Sequence, residues 1–162
     1  MDEDSLNLIA ETIPALSRYF LGVFPKNQII SIKRRYPVCF IINTDKFLQP
    51  GSHWLAVFIS KKEDIFLFDS FGIDPRSDPY LMNMLHSYGK KNLYFSNVQL
   101  QATTSLSCGL YSIYILYLMS LERFSFTQCI SFFNLCNPSK NELLIKSLFK
   151  NILFRLKINY PE

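Results

Sequence analysis

The feature that most constrains the fold is the apolar segment "LYSIYILYLMSL", residues 110–121. It is roughly half as long as a membrane-spanning helix, so it has to be buried inside a protein core. Small polar residues and then Cys108-Gly109 come directly before it, in "QATTSLSCG". This order predicts that Cys108 begins a buried helix. Its thiol is then either an inert core cysteine or a nucleophile activated by the helix N-terminus.

The order of predicted elements around this helix indicates an α+β fold. The N-terminal segment "SLNLIAETIPALSRYF" has a helical pattern that Pro14 should kink or divide. Strands are predicted from Pro37 in "PVCFIINTD", over residues 53–59 and 64–70 as a hairpin, and in "NLYFSNVQL". A helix, a block of strands and then a block of helices differ from alternating βαβ units. At 162 residues, the chain is expected to form one domain.

Two further helices have predictable boundaries. One is expected to start near Asp78-Pro79 and to stop at Gly89, because proline favours the first helical turn and glycine the C-terminal cap. The last is expected to begin at "SKNE", where Ser139 and Glu142 have the spacing of a capping box. Its apolar face is then predicted to consist of Leu144, Leu148, Ile152 and Leu156.

Charge and cysteine content limit the compartment and the partners. The net charge is +4, with basic clusters at residues 33–35 (KRR) and 90–91 (KK). Such a mild excess is either a solvated face, the usual case, or a contact for nucleic acid or an acidic partner. The acidic start "MDEDS" differs from a signal peptide, so secretion is not expected and the four cysteines are predicted to be free thiols. No CxxC pair occurs and the two histidines lie far apart, so no structural metal site is expected.

Two residues can supply the proton chemistry that a nucleophilic cysteine needs. His53 stands at the start of a predicted strand, where an imidazole can take the thiol proton and later protonate a leaving amine. Asp69 ends the next strand, and antiparallel pairing would bring its carboxylate beside His53 to hold the other ring nitrogen. The alternatives are a histidine at a strand end and an aspartate in a turn. His86, in "MLHSYG", is expected at the surface or in local packing.

The polar loop before Cys108 offers a candidate for one further role. Gln101 lies in the pattern Q-x6-C-G, and its side-chain amide can aim at the same point as the Cys108 backbone N–H. Two such donors would form an oxyanion hole. Gln99 is a weaker candidate because it still belongs to the predicted strand. Gly109 is expected to leave the approach of a substrate to the sulfur unobstructed.

Taken together, these residues form a recognisable sequence of motifs. H-W is followed by a hydrophobic strand ending in D-S-F-G, then by Q-x6-C-G and an apolar helix. This resembles the adenain family, the adenovirus-type cysteine endopeptidases, and more distantly the SUMO-specific proteases. The similarity covers about residues 37–121 and includes Asn43-Thr44 in "VCFIINTD". It implies a papain-like α+β fold with a central, mostly antiparallel sheet packed against helices, and one protease domain over residues 1–162.

The resemblance also implies a role for each candidate residue. His53 would be the general base, Cys108 the nucleophile, Asp69 the orienting acid and Gln101 the oxyanion donor. Trp54 and Asn43 would bind substrate, with Trp54 walling a narrow groove that admits glycine next to the scissile bond. The alternatives are an ordinary packing aromatic for Trp54 and a turn residue for Asn43. The family's reaction is cleavage of viral precursor proteins at small-residue sites that contain glycine.

Two sequence details separate the branches of this resemblance. The Q-x6-C spacing and Ser107 before the cysteine favour the adenain type, whereas Asp69 in D-S-F-G is typical of the SUMO type. The alternatives to a viral endopeptidase are therefore a SUMO-type or ubiquitin-like isopeptidase and a non-catalytic binding module that kept the fold.

The resemblance further concerns activators and location. Adenovirus proteases use DNA and a disulfide-bonded viral peptide as activators. No cysteine lies between Asp69 and Gln101, so covalent peptide activation is not expected here. DNA binding would depend on the clusters at 33–35 and 90–91. The resemblance implies location in the host cell nucleus and the virion. No membrane association is expected, because the longest apolar run, residues 110–121, is too short to span a bilayer.

Overall fold

The computed structural model describes residues 1–28, 30–32, 36–45, 52–88 and 92–155. Its α-helices are α1 (Glu3–Thr12), α2 (Pro14–Ser17), α3 (Pro79–Tyr88), α4 (Cys108–Ser120), α5 (Phe126–Ser131) and α6 (Pro138–Arg155). Its strands are β1 (Phe20–Pro25), β2 (Val38–Asn43), β3 (Trp54–Ile59), β4 (Ile65–Phe68) and β5 (Leu93–Phe95). A short 3-10 helix, Pro75–Ser77, precedes α3. The predicted α+β class is confirmed.

The strands form one mixed sheet in the order β1-β2-β3-β4-β5. The three central strands are antiparallel and include the predicted hairpin, whereas β1 and β5 each run parallel to their neighbour. The expectation of a mostly antiparallel sheet therefore holds only for its centre. At one edge the reason is a crossover, because the chain passes through α3 between β4 and β5 and re-enters the sheet in the same direction.

Helices cover both faces of this sheet. Every residue of β2 and β3 is buried, as expected for strands with a packed layer on each side. Side chains such as Ile41 and Ala56 point into a core shared with α1, α2, α4, α5 and α6. Their sequence neighbours Phe40 and Leu55 point into a second core beneath α3. Helix α4 lies within the first core and is buried on almost every side, which explains its uniformly apolar sequence.

The N-terminal third departs from the prediction at one place. The expected division at Pro14 is confirmed, because α1 ends at Thr12 and Pro14 begins α2. The predicted helix was too long, however, since the chain turns and enters β1 at Phe20. This strand was not predicted because it contains two strand breakers, Pro25 and Gly22, which adopts a φ of 132° where the register shifts.

The start of α6 also differs from the prediction. The proposed capping box of Ser139 and Glu142 is wrong: the helix begins at Pro138, and the Oδ1 atom of Asn137 accepts the Lys140 N–H at 3.0 Å. The predicted apolar stripe is displaced by one residue. The fully buried positions are Ile145, Phe149 and Leu153, flanked by the half-buried Leu144, Leu148 and Ile152.

Some predictions fall outside the described residues. These are the basic clusters at 33–35 and 90–91, the cap at Gly89 and the contribution of Leu156. The four cysteines are free thiols, as predicted. Across the described ranges, no helix combines the length and apolar character needed to cross a bilayer. The same ranges contain no group of three or more His, Cys, Asp or Glu side chains that could hold a metal ion.

Candidate active site

Cys108 is the first residue of α4, as predicted, and its side chain is buried. Helix α4 packs on β3, and Cys108 lies near Trp54, the first residue of that strand. The nearby backbone N–H groups of Trp54 and Gly109 lower the pKa of the thiol. N–H groups in the first turn of a helix have no acceptor within the helix. The Gly109 N–H, in the first turn of α4, is therefore available to a thiolate or to a substrate oxygen.

His53 and Asp69 lie together at one end of the central hairpin. His53 directly precedes β3 and Asp69 directly follows β4, and these strands are antiparallel with Ala56 opposite Phe68. The Nε2 atom of His53 lies 2.7 Å from the Oδ1 atom of Asp69. The side chains are only 12% and 6% exposed, respectively. The juxtaposition predicted from antiparallel pairing is confirmed.

The Asp69 carboxylate is held by the turn that follows it. Its Oδ1 atom also accepts the Phe71 N–H at 2.8 Å, and Oδ2 accepts the Ile73 N–H at 3.3 Å. The hydroxyl of buried Ser96 accepts the Asp69 N–H at 2.8 Å and donates to the Asp69 carbonyl at 2.9 Å. Backbone and carboxylate are thus both fixed before any ligand binds.

His53 and Cys108 interact as a coupled acid–base pair. Burial opposes the charge on His53, but the hydrogen bond to Asp69 and the interaction with Cys108 raise its pKa to about 9. Burial likewise opposes a thiolate at Cys108, but His53 and the Trp54 and Gly109 N–H groups lower the pKa of the thiol below its ordinary value of 9.0. Both shifts favour a thiolate–imidazolium pair. Because Asp69 engages Nε2, the buried Nδ1 atom is the nitrogen available to the sulfur.

Gln101 is fully buried and its amide is oriented by two hydrogen bonds. Its Oε1 atom accepts the Ser70 hydroxyl at 2.6 Å, and its Nε2 atom donates to the Ser105 carbonyl at 2.8 Å. An amide nitrogen carries two hydrogens, so one remains for another acceptor. Gln101 and Cys108 line the same cavity. The structure thus brings together all four residues predicted to be catalytic.

Two cavities lie next to the candidate catalytic residues. The first has a volume of about 340 Å³. It is lined by Met1, Ser52, Trp54, Phe71, Gln101, Thr103, Ser105, Leu106 and Cys108. The second, of about 420 Å³, includes Thr44, His53, Asp69, Phe71 and Ile73 in its wall. Phe71 lines both cavities, and its ring centroid lies 4.8 Å from that of His53. Phe71 was not among the site residues predicted from the sequence, although its position directly after Asp69-Ser70 was a usable signal.

Trp54 forms a fixed part of the first cavity. Only 4% of Trp54 is exposed, and its Nε1 atom donates to the Met1 carbonyl at 3.2 Å. Gly109 packs nearby: a Cβ atom there would lie 2.9 Å from a methyl group of Leu6 and 3.5 Å from the Trp54 ring. The absence of a side chain at Gly109 thus permits close packing of α4 on α1, and the expected role in substrate access stays a prediction.

Asn43 and His86 do not line the cavity that holds Cys108. Asn43 is the last residue of β2, and its Oδ1 atom accepts the Asp45 N–H at 2.9 Å in a turn. Its neighbour Thr44 lines the second cavity, and a substrate contact by Asn43 stays a prediction. His86 is an exposed residue of α3, as expected.

Comparison with known proteins identifies related folds and sequences. The central domain of the Lpg1148 protein from Legionella pneumophila is 15% identical, with a TM-score of 0.51 over 96% of this chain and 97% of that chain. ChlaDub1 from Chlamydia trachomatis is also 15% identical, with a TM-score of 0.53 over 98% of this chain and 80% of that one. At this level of identity, both likenesses concern the fold.

Sequence comparison identifies the family. A protease of Bovine adenovirus 2 is 28% identical over 120 residues, which cover 67% of this chain and 58% of the relative. The chain thus matches less than two thirds of the length of that relative. The family model described as adenovirus endoprotease matches residues 20–159, a range that contains all four candidate catalytic residues. This chain belongs to the adenovirus endoprotease family.

Proposed function

We propose that this chain is a cysteine endopeptidase that cleaves viral precursor proteins at small-residue sites containing glycine. Cys108 is the nucleophile, His53 the general acid and base, Asp69 the orienting acid and Gln101 the oxyanion donor. The observation that carries the proposal is the position of one imidazole between two partners. Its Nε2 atom is bound to the Asp69 carboxylate at 2.7 Å, and the ring lies close enough to Cys108 to lower the pKa of the thiol.

This arrangement supports acyl transfer in two steps. The Cys108 thiolate attacks the scissile carbonyl carbon, and the His53 imidazolium protonates the amine as the C–N bond breaks. In the second step, neutral His53 takes a proton from water as the water oxygen attacks the thioester carbon. The C–S bond then breaks and the thiolate is restored beside the imidazolium. Asp69 keeps the ring oriented throughout, because its oxygens are fixed by the turn.

The oxyanion formed in each step needs donors that are already in place. The free hydrogen of Gln101 Nε2 and the N–H of Cys108 at the start of α4 can supply them. Both residues line the cavity of about 340 Å³ in which the scissile carbonyl would lie. Preorganised donors of this kind commonly contribute 10²–10³-fold to the rate.

Selection of small residues is attributed to Trp54. Its ring is buried, bonded to Met1 and packed against Gly109, so it cannot swing away to admit a larger side chain. A peptide reaching Cys108 through this cavity would pass that fixed wall. We therefore expect glycine next to the scissile bond to be cleaved fastest.

The test is covalent labelling with a peptide that ends in glycine bearing an electrophile, followed by mass spectrometry. Cys136 provides an internal control, because it is exposed whereas Cys108 is buried. Cys108 should react first, and a probe ending in leucine should react more slowly. Labelling that follows exposure, with Cys136 modified first, would contradict the proposal.

One observation favours a second function. The third member of the site is aspartate in D-S-F-G, which is typical of SUMO-type isopeptidases. Ubiquitin-like precursors and glycine-containing peptides of viral type should therefore be compared as substrates. Processing of the ubiquitin-like precursors alone would establish the isopeptidase. Identical behaviour of wild type and Cys108→Ala toward both substrate sets would instead favour a binding module without catalysis.

Family membership also supports a proposal about partners and location. We expect the enzyme to act in the infected cell's nucleus and in the virion, on viral precursor proteins. DNA is the candidate activator, with the clusters at residues 33–35 and 90–91 as its contacts. Measuring cleavage with and without DNA over a range of salt concentrations tests this, because phosphate contacts weaken steeply with salt. If DNA does not change the rate of cleavage at low salt, DNA is not an activator of this enzyme.

A further inference from the structure

Helix α6 reaches back to the loop that carries Gln101. The carboxylate of Glu142, a half-buried residue in its second turn, accepts three hydrogen bonds there. Its Oε2 atom accepts the Ser105 hydroxyl at 2.6 Å, and its Oε1 atom accepts the Ala102 N–H and the Tyr111 hydroxyl, each at 3.2 Å. The donors of these three hydrogen bonds lie in the loop (Ala102 and Ser105) and in α4 (Tyr111), so the Glu142 carboxylate connects α6 to both.

Ser105 connects this carboxylate to the candidate catalytic groups. The Ser105 carbonyl accepts the Gln101 side-chain N–H at 2.8 Å, and the Ser105 hydroxyl oxygen accepts the Ser107 N–H at 3.1 Å. The same residue therefore fixes the aim of the Gln101 amide and the backbone directly before Cys108. Since Glu142 holds Ser105, both donors of the oxyanion site depend on it.

The neighbouring residue Asn141 fixes the start of the same loop. Only 1% of Asn141 is exposed, and its Nδ2 atom donates to the carbonyls of Leu100 and Asn134, each at 2.9 Å. Its Oδ1 atom accepts the Asn134 N–H at 2.8 Å. Two consecutive residues of α6 thus bind the loop by hydrogen bonds, Asn141 at its beginning and Glu142 in its middle. Apolar packing of α6 alone would not fix the loop in this way.

We infer that Glu142 is a positioning residue for the reaction, which holds residues 101–107 so that the Gln101 amide and the Cys108 N–H converge on the substrate oxygen. The inference rests on the proposed function of Gln101. Glu142 itself lies outside the wall of the cavity that holds Cys108. Its loss should therefore lower kcat and leave KM nearly unchanged, because substrate contacts at Trp54 persist.

The experiment compares Glu142→Ala with Glu142→Gln, and with Leu143→Ala as a control at a 74% exposed neighbouring position. Glu142→Ala should lower kcat about tenfold, less than the 10²–10³-fold expected for deleting a donor outright. Glu142→Gln should recover most of the loss, since an amide oxygen can accept the Ala102 N–H and an amide nitrogen can donate to Ser105. Leu143→Ala should leave kcat and KM unchanged.

A double-mutant cycle separates positioning from general weakening of the fold. If Glu142 acts through Gln101, then Glu142→Ala should have little further effect on kcat in a Gln101→Ala background. Losses that multiply would overturn the inference. Thermal unfolding of each variant checks that the fold is retained. If Glu142→Ala does not fold, Ser105→Ala replaces it, with a kcat loss of a few-fold expected.

Hydrogen exchange provides a readout that needs no catalytic activity. Exchange at Ala102 and Ser107 should be about tenfold faster in Glu142→Ala than in wild type, and unchanged in Leu143→Ala. Cys108→Ala should abolish cleavage and leave this exchange at the wild-type rate. An unchanged rate of hydrogen exchange at Ala102 and Ser107 in Glu142→Ala would overturn the inference, even if the enzyme is active. If the wild-type protein is inactive but hydrogen exchange is faster in Glu142→Ala, the result would count against the proposed function alone.

Discussion

The two halves of the candidate site are held in place by different means. His53 and Asp69 are fixed by the β3–β4 hairpin and by hydrogen bonds from residues within four positions of Asp69. Gln101 and Cys108 are carried by a loop and a helix end, and the loop is bound by Asn141 and by side chains more distant in sequence. We call these the sheet half and the loop half. The contacts of the first are local in sequence apart from those of the Ser96 hydroxyl with the Asp69 backbone, whereas the second depends on α6.

This difference has a consequence for the chemistry. The sheet half sets the protonation state, because Asp69 and burial control the pKa of His53. In the proposed mechanism the loop half stabilises the transition state, because Gln101 and Cys108, which line the same cavity, would each donate an N–H to the substrate oxygen. Damage to the sheet half should therefore change how the rate depends on pH. Damage to the loop half should lower the rate at every pH.

The largest effect is expected where the halves meet. Cys108→Ala removes the atom that His53 activates and that α4 positions, so kcat should fall by about 10⁵-fold or more, to the level left by binding alone. Cys136→Ala serves as the control, because that cysteine is exposed and does not line the cavity that holds Cys108. Steady-state cleavage of a glycine-containing peptide measures both variants. Equal activities of the Cys108→Ala and Cys136→Ala variants would show that Cys108 is not the nucleophile.

A smaller effect is expected from the sheet half. Asp69→Asn keeps the shape but removes the charge that favours the imidazolium, so kcat/KM should fall about 10³-fold. The pKa of His53 should also drop from about 9. Since the imidazolium is the acid that protonates the leaving amine, activity is lost as pH rises through that pKa. The alkaline limit of the kcat/KM profile should therefore move to lower pH.

Asp64→Asn is the matched control for this change. Asp64 lies at the opposite end of β4, where its Oδ1 atom accepts the Asn92 side-chain N–H at 2.9 Å. It should leave both the rate and the pH profile intact. If Asp69→Asn lowers the rate without moving the alkaline limit, the carboxylate only orients the ring, and control of protonation by the sheet half is wrong.

A still smaller effect is expected from the loop half. Gln101→Ala removes one of two oxyanion donors and should lower kcat about 10²-fold, with the pH profile unchanged. Gln99→Ala should cost at most about threefold, because the Gln99 side chain touches the loop through the Gln101 carbonyl at 3.0 Å. Peptide cleavage between pH 5 and 10 measures both variants. The reverse order of losses would make Gln99 the donor.

The sheet half could be predicted from the sequence because its geometry follows from strand pairing. A hydrophobic run after His53 and another before Asp69 are enough to place the two at one hairpin end. The start of α4 was equally predictable, since small polar residues change to an apolar run at Cys108. Both cases involve periodicity and contacts between neighbouring elements.

The supports of the loop half could not be predicted in the same way. Glu142 has the spacing of a capping box with Ser139, and a local rule assigned it to that role. The structure uses its carboxylate on Ser105 and Ala102, which are remote in sequence. Ser96, which clamps Asp69, likewise lies on a different segment of the chain. Contacts of this kind depend on how α6 and the region after β5 pack, and no local pattern encodes them.

The smallest effect concerns Phe71, whose ring lies 4.8 Å from the His53 ring at an angle of 35°. An aromatic face stabilises a neighbouring cation by about 0.5–1 kcal/mol, so Phe71→Leu should lower the pKa of His53 by roughly half a unit and kcat/KM a few-fold. Leucine keeps the site dry, whereas Phe71→Ala also admits water, which relieves the burial that opposes the charge and should raise this pKa. NMR titration of the histidine rings measures the shifts, with exposed His86 as the internal reference. A raised pKa in both variants would mean that Phe71 acts on the sheet half through solvent exclusion alone, and a lowered pKa in both would mean that it acts through its aromatic face alone.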